Sequence, residues 1–90
     1  MDALRRIRDA ILAESLPAWV DQVIVTDTFG TDEEPALDVV LVIRDDRIDV
    51  VKDGAQLSEA RHLVHRAVRA AGVELWPYTR FMSASDLAAA

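Results

Sequence analysis

The residues with the most evident chemistry lie in one stretch, where Glu59, His62 and His65 spell E-x-x-H-x-x-H. Three-residue spacing sets such groups on neighbouring turns of a helix, as in helical bundles where carboxylates and imidazoles share a metal. A bundle site needs a matching half from a second helix, with further glutamates, and the first helix of this chain has only one glutamate, Glu14, near its end. The expectation is therefore two surface histidines and no metal. They stay pH-sensitive, since imidazole titrates between roughly pH 5 and 8. Nucleophilic catalysis finds no support: no serine sits in a G-x-S-x-G elbow, there is no cysteine, and three glycines at turns make no Walker or dinucleotide loop. The acids around Gly30 do not follow the alternating-ligand calcium loop. No catalytic residue and no cofactor is expected.

Contact chemistry is better represented. The segment W-P-Y-T-R-F, residues 76–81, holds three of the five aromatic residues. Alternation through Pro77 places Trp76, Tyr78 and Arg80 on one face of a strand, and aromatic rings with an arginine are the composition of interaction hot spots. The alternative is that Trp76 or Phe81 fills the core beside Trp19 and Phe29. Phe81 is expected inside, with Tyr78 and Arg80 at least partly exposed. Charge is uneven too. From Asp27 to Asp53 nine acids face three bases, and Asp32, Glu33 and Glu34 are consecutive. Between residues 54 and 72, Glu59 stands against Arg61, Arg66 and Arg69. At 100° per residue, Arg61, His62, His65, Arg66 and Arg69 fall in an arc of roughly 140°. That pattern suits either a docking face for an acidic partner or the ordinary solvated side of a surface helix. The candidate protein-binding residues are Tyr78 and Arg80, the turn acids Asp32, Glu33 and Glu34, and Arg61, His65 and Arg69.

The elements that must position these groups follow from periodicity. Residues 2–16 predict an amphipathic helix through Leu4, Ile7, Ile11 and Leu12, with Asp2 as N-cap or paired to Arg6, and Pro17 as its stop. β-branched residues from Val20 to Phe29 predict a strand, G-T-D-E-E-P a turn, and A-L-D-V-V-L-V-I-R a second strand, together a hairpin. Leu37, Val39, Leu41 and Ile43 are its core face. Val40 and Val42 leave the other face partly apolar, which invites a covering subunit. Residues 48–52 read as a short third strand or an extended connection. Asp53 and Gln56 have capping-box spacing ahead of a helix running to about Ala71, where Gly72 stops it. Residues 73–81 predict the last strand, with Pro77 marking an edge or a bulge, and Ser83 or Ser85 caps a short terminal helix. The expected fold is a single α+β domain spanning residues 1–90. It is a two-layer sandwich, a mostly antiparallel sheet of three to four strands with two helices on one face, in the order α-β-β-(β)-α-β-(short α).

Composition bounds the function. Ninety residues, 51% apolar, suffice for one core and argue against disorder of the whole chain. The longest apolar run, Val39 to Ile43, is far short of the roughly 20 residues of a membrane span. No secretory signal is expected, because acids flank Arg5, Arg6 and Arg8 and no apolar stretch follows them. The lack of cysteine fits a reducing cytoplasm. A net charge of −6 makes nucleic acid an unlikely partner.

Three resemblances add to this reading. F-G-T (29–31) followed by L-D-V-V-L-V-I (37–43) resembles the minimal nucleotidyltransferases, whose strand carries two aspartates one residue apart for Mg²⁺. Here Asp38 is present and Ala36 stands at the partner position, so the resemblance implies a degenerate domain with weak or no nucleotide and Mg²⁺ binding. G-T-D-E-E-P-A-L-D-V-V-L-V-I (30–43) with W-P-Y-T-R-F-M-S-A-S-D-L (76–87) resembles a family of small bacterial proteins of unassigned function. That likeness implies a compact accessory domain. The α-β-β-α-β order is similar to type II KH-like folds, although this chain has no G-x-x-G turn. Taken together, these readings favour a non-catalytic accessory domain that works by contact with another protein or with a second copy of itself.

Overall fold

The computed structural model describes residues 3–51 and 54–89 of the chain. Helix α1 spans Ala3–Leu12 and buries Ile7 and Ile11, with Leu4 half-buried on the same stripe. It ends a turn earlier than the sequence predicts. The Glu14 N–H donates to the Ile11 carbonyl at 3.1 Å, a tightened i→i−3 turn ahead of Pro17. Leu12, assigned to the stripe, is exposed because burial follows positions 4, 7 and 11. Asp2, Lys52 and Asp53, and the caps and pairs assigned to them, lie outside the described residues.

Strand β1 (Val20–Phe29) and strand β2 (Pro35–Ile43) form the expected antiparallel hairpin, from Val20 opposite Ile43 to Phe29 opposite Pro35, with a bulge between Val20 and Gln22. The Gly30 N–H to the Glu34 carbonyl (2.8 Å) and the Glu33 N–H to the Gly30 carbonyl (3.0 Å) close the turn. Glu33 takes a left-handed φ of 61° to do so. After β2, residues 45–51 are helical, a 3-10 turn at Asp45–Arg47 followed by α2 (Ile48–Val51). The β-branched run I-D-V-V is thus a one-turn helix rather than a strand; Ile48 is exposed while Val51 turns inward.

Helix α3 (Ala55–Ala70) stops at Gly72, whose φ of 78° is the left-handed end the sequence predicts. Its sixteen residues rise about 24 Å, comparable to the length of β2, so the chain returns to the end where β2 began. Strand β3 (Trp76–Ser83) therefore runs parallel to β2, Ala36 beside Trp76 through to Ile43 beside Ser83. The sheet is mixed, in the order β1-β2-β3. Pro77, which lacks a ladder donor, sits on an edge strand as its chemistry demands. Helix α4 (Ala84–Ala89) is capped by Ser83, whose Oγ accepts the Asp86 N–H at 3.0 Å.

The α+β fold and its two-helix layer are as the sequence predicts. Leu37, Val39, Leu41 and Ile43 face Ile7 and Ile11 of α1 and Ala60, Val64, Ala67 and Val68 of α3 in one core. The second face of β2 is closed as well: Val40 is 6% and Val42 0% exposed in the single chain. In register, Val40 lies between Ile24 and Arg80, and Val42 between Gln22 and Met82. Those longer side chains flank the smaller valines, so Val40 and Val42 need no second subunit to cover them. Two buried polar atoms, Trp19 Nε1 and Thr79 Oγ1, have no hydrogen-bond partner among the described residues.

Candidate protein-contact surface

The hairpin turn and the start of β3 meet at one end of the sheet. Register brings Tyr78 beside Asp38, and Tyr78 leans over Gly30 so closely that a Cβ there would lie 2.7 Å from the tyrosine hydroxyl. Glycine is required at position 30 for this approach. Tyr78 becomes a ridge between two shallow hollows. One is bordered by Asp32, Glu34 and Trp76, the other by Phe29, Asp38 and Arg80. Phe29 is 71%, Trp76 59% and Tyr78 39% exposed, whereas Trp19 is 4% exposed. Phe29 and Trp76, which the sequence allowed in the core, are the two most exposed rings. Phe81 is half-buried against Trp19, ring centroids 6.3 Å apart.

Arg80 is not free. Its Nε and one terminal nitrogen donate to the two Asp38 carboxylate oxygens at 2.8 and 2.7 Å, a bidentate pair across neighbouring strands. Those hydrogen bonds, more than the Arg80 charge and a Thr26 hydrogen bond, hold the Asp38 carboxyl below its usual range against the opposing effect of burial. The same pair raises the Arg80 guanidinium. Asp38 is the residue that carries the nucleotidyltransferase likeness, and its carboxylate is engaged by Arg80 with Ala36 at the partner position.

The basic residues of α3 divide into two sets. Arg61 lies over the Phe81 ring at 4.9 Å, and His65 stands edge-on to Trp76 at 4.7 Å. Arg69 borders the same hollow as His65 and Trp76. Burial, followed by the positive charges of His62 and Arg69, pushes His65 below the ordinary imidazole value. His62 and Arg66 instead face the end of α1, where Arg66 approaches Glu14 at 3.6 Å. The E-x-x-H-x-x-H run is thereby split between two sides of the helix. No group of three His, Asp or Glu side chains could hold a metal among the described residues.

Of the predicted residues, Tyr78, Arg80, Asp32 and Glu34 come together around the ridge, with Glu33 exposed at the turn above them. His65 and Arg69 join through Trp76, which touches the helix on one side and the turn hollow on the other. Arg61 sits apart, on Phe81. The result is an aromatic band with acids at one flank and bases at the other. Sequence reasoning offered Phe29 only as a core residue in one of its two alternatives; its position as the last strand residue before a glycine turn was the available signal. Among the described residues, no helix is long and apolar enough to cross a membrane. Comparison with protein-family models, curated proteins and solved structures returns no match.

Proposed function

We propose that this chain is a non-catalytic accessory domain whose work is contact with another protein through the band Phe29, Tyr78 and Trp76. The observation that carries this reading is the exposure of three aromatic rings at one end of a sheet whose other rings turn inward. Clustered exposed rings on a small domain mark contact sites, and aromatic anchors supply most of the energy at such sites. The acidic turn on one flank and His65 with Arg69 on the other would orient the partner. The pairing of Asp38 with Arg80 supports the absence of catalysis, since a carboxylate held by two guanidinium hydrogen bonds is poorly placed to take a metal.

The test is affinity capture from the source cells with the wild-type chain, a Phe29→Ser/Tyr78→Ser variant and a Leu12→Ser control, whose exposed leucine lies on α1. A partner held by the wild type and the control but lost by the double variant, with circular dichroism showing all three chains folded, is the expected result. Retention of the same partner by all three would overturn the reading.

A further inference from the structure

The geometry points to a second contact, at the opposite edge of the sheet: β1 pairs antiparallel with β1 of a second copy, centred on Val25. This goes beyond the aromatic band and does not rest on it, because Trp76 and Tyr78 lie on β3, the opposite edge, and the band meets β1 only at its last residue, Phe29. Strand β1 is an edge strand, and among the described residues no backbone hydrogen bond from residues 21–29 reaches any element other than β2. Its outward amide and carbonyl groups form a row open to another strand. The other edge, β3, is blunted by Pro77. Beside β1 runs a hollow bordered by Leu4, Arg5 and Arg8 of α1 and by Gln22 to Val25. Because both alternating faces of β1 border it, the hollow lies along the strand's edge rather than over one face.

Register and charge select the occupant. A two-fold axis between antiparallel strands pairs residue i with residue j so that both point to the same side of the sheet. The regular part of β1 runs from Gln22 to Phe29, and an axis on Val25 uses Gln22 to Thr28 of it. Centring there sets Val25 against Val25 of the second copy, Ile24 against Thr26, Gln22 against Thr28, and Val23 against Asp27. The β-branched and amide-hydroxyl pairs suit cross-strand contact. Asp27 of each copy arrives beside Val23 of the other, on the border that Arg5 and Arg8 line. In the single chain Asp27 and Arg5 have no ion-pair partner among the described residues, and Arg8 has only its chain neighbour Asp9 at 3.3 Å. Two symmetric sets of opposite charge are thus completed by a second copy of this chain.

Sedimentation equilibrium on the full chain across the micromolar range reads the association. A wild-type dimer, weakened about tenfold by Asp27→Arg and by Arg5→Glu/Arg8→Glu, and restored when all three changes are combined, is the expected pattern. Circular dichroism confirms folding of each variant, and the exposed arginine pair on α1 serves should Asp27→Arg fail to fold. A wild-type monomer throughout, or a dimer indifferent to both reversals, overturns the proposal. So does a dimer whose association is lost through Trp76→Ser/Tyr78→Ser, both on β3, while the charge reversals leave it intact, which would place the contact at the band.

Discussion

Replacing Gly30 with alanine tests whether the turn and β3 form one surface. A Cβ at position 30 would meet the Tyr78 hydroxyl at 2.7 Å, while the nearest ring carbons lie at 3.5 Å, an ordinary contact. The conflict is therefore with one oxygen atom, and Tyr78→Phe removes it. Elsewhere, exchanging glycine for alanine at a compatible backbone conformation stabilises by about 0.4–1 kcal/mol through the unfolded chain. In the Tyr78→Phe background Gly30→Ala should show that gain. With Tyr78 intact, the ring must tilt outward, and lost packing of a half-exposed side chain offsets the gain by about 1 kcal/mol. Urea denaturation of the four proteins gives a double-mutant cycle, with an expected coupling near 1 kcal/mol. Coupling indistinguishable from zero would refute the placement of Tyr78 over the turn.

Three further outcomes follow from the geometry. Thr79→Val removes a buried hydroxyl without a partner and keeps a β-branched side chain, so the urea midpoint should rise, equivalent to about 1 kcal/mol of stability. Leu41→Ala, at a fully buried central position, should cost about 2–5 kcal/mol in the same assay. Asp38 is held below the usual carboxyl range in the folded chain, so its ionised form stabilises above the unfolded value of about 3.9, and that contribution is lost as pH falls through the folded value. The stability gap between wild type and Asp38→Asn should be open at neutral pH and close below about pH 4. Because Arg80 is well exposed, the gap should be about 1 kcal/mol or less.

The hairpin and the helices α1 and α3 were legible because their apolar residues repeat at the period of the element they form. Leu37, Val39, Leu41 and Ile43 alternate, while Ile7 with Ile11 and Val64 with Val68 repeat at helical spacing. Gly72 marked the end of α3 by backbone chemistry and Ser83 the start of α4 by capping. Residues 48–51 misled because β-branched composition favours a strand, yet four residues with Val51 turned inward close a single helical turn as well. The direction of β3 depends on where α3 delivers the chain, which no local pattern encodes. The contact residues were named from composition, whereas their arrangement required the fold. Arg80 finds Asp38 across forty-two residues of sequence, and Tyr78 reaches Gly30 only because β3 lies beside β2. Phe29 follows the alternation of a strand but sits beyond the reach of either helix.

On the proposed function, another protein sits at the aromatic end of this domain. Amide chemical-shift mapping of the isotopically labelled chain, titrated with the partner recovered by capture, measures this directly. Shifts concentrated at residues 29–34 and 76–80, with α1 and the interior of β2 little changed, are predicted. Shifts confined to the outward side of α1 or to His62 and Arg66 would contradict it.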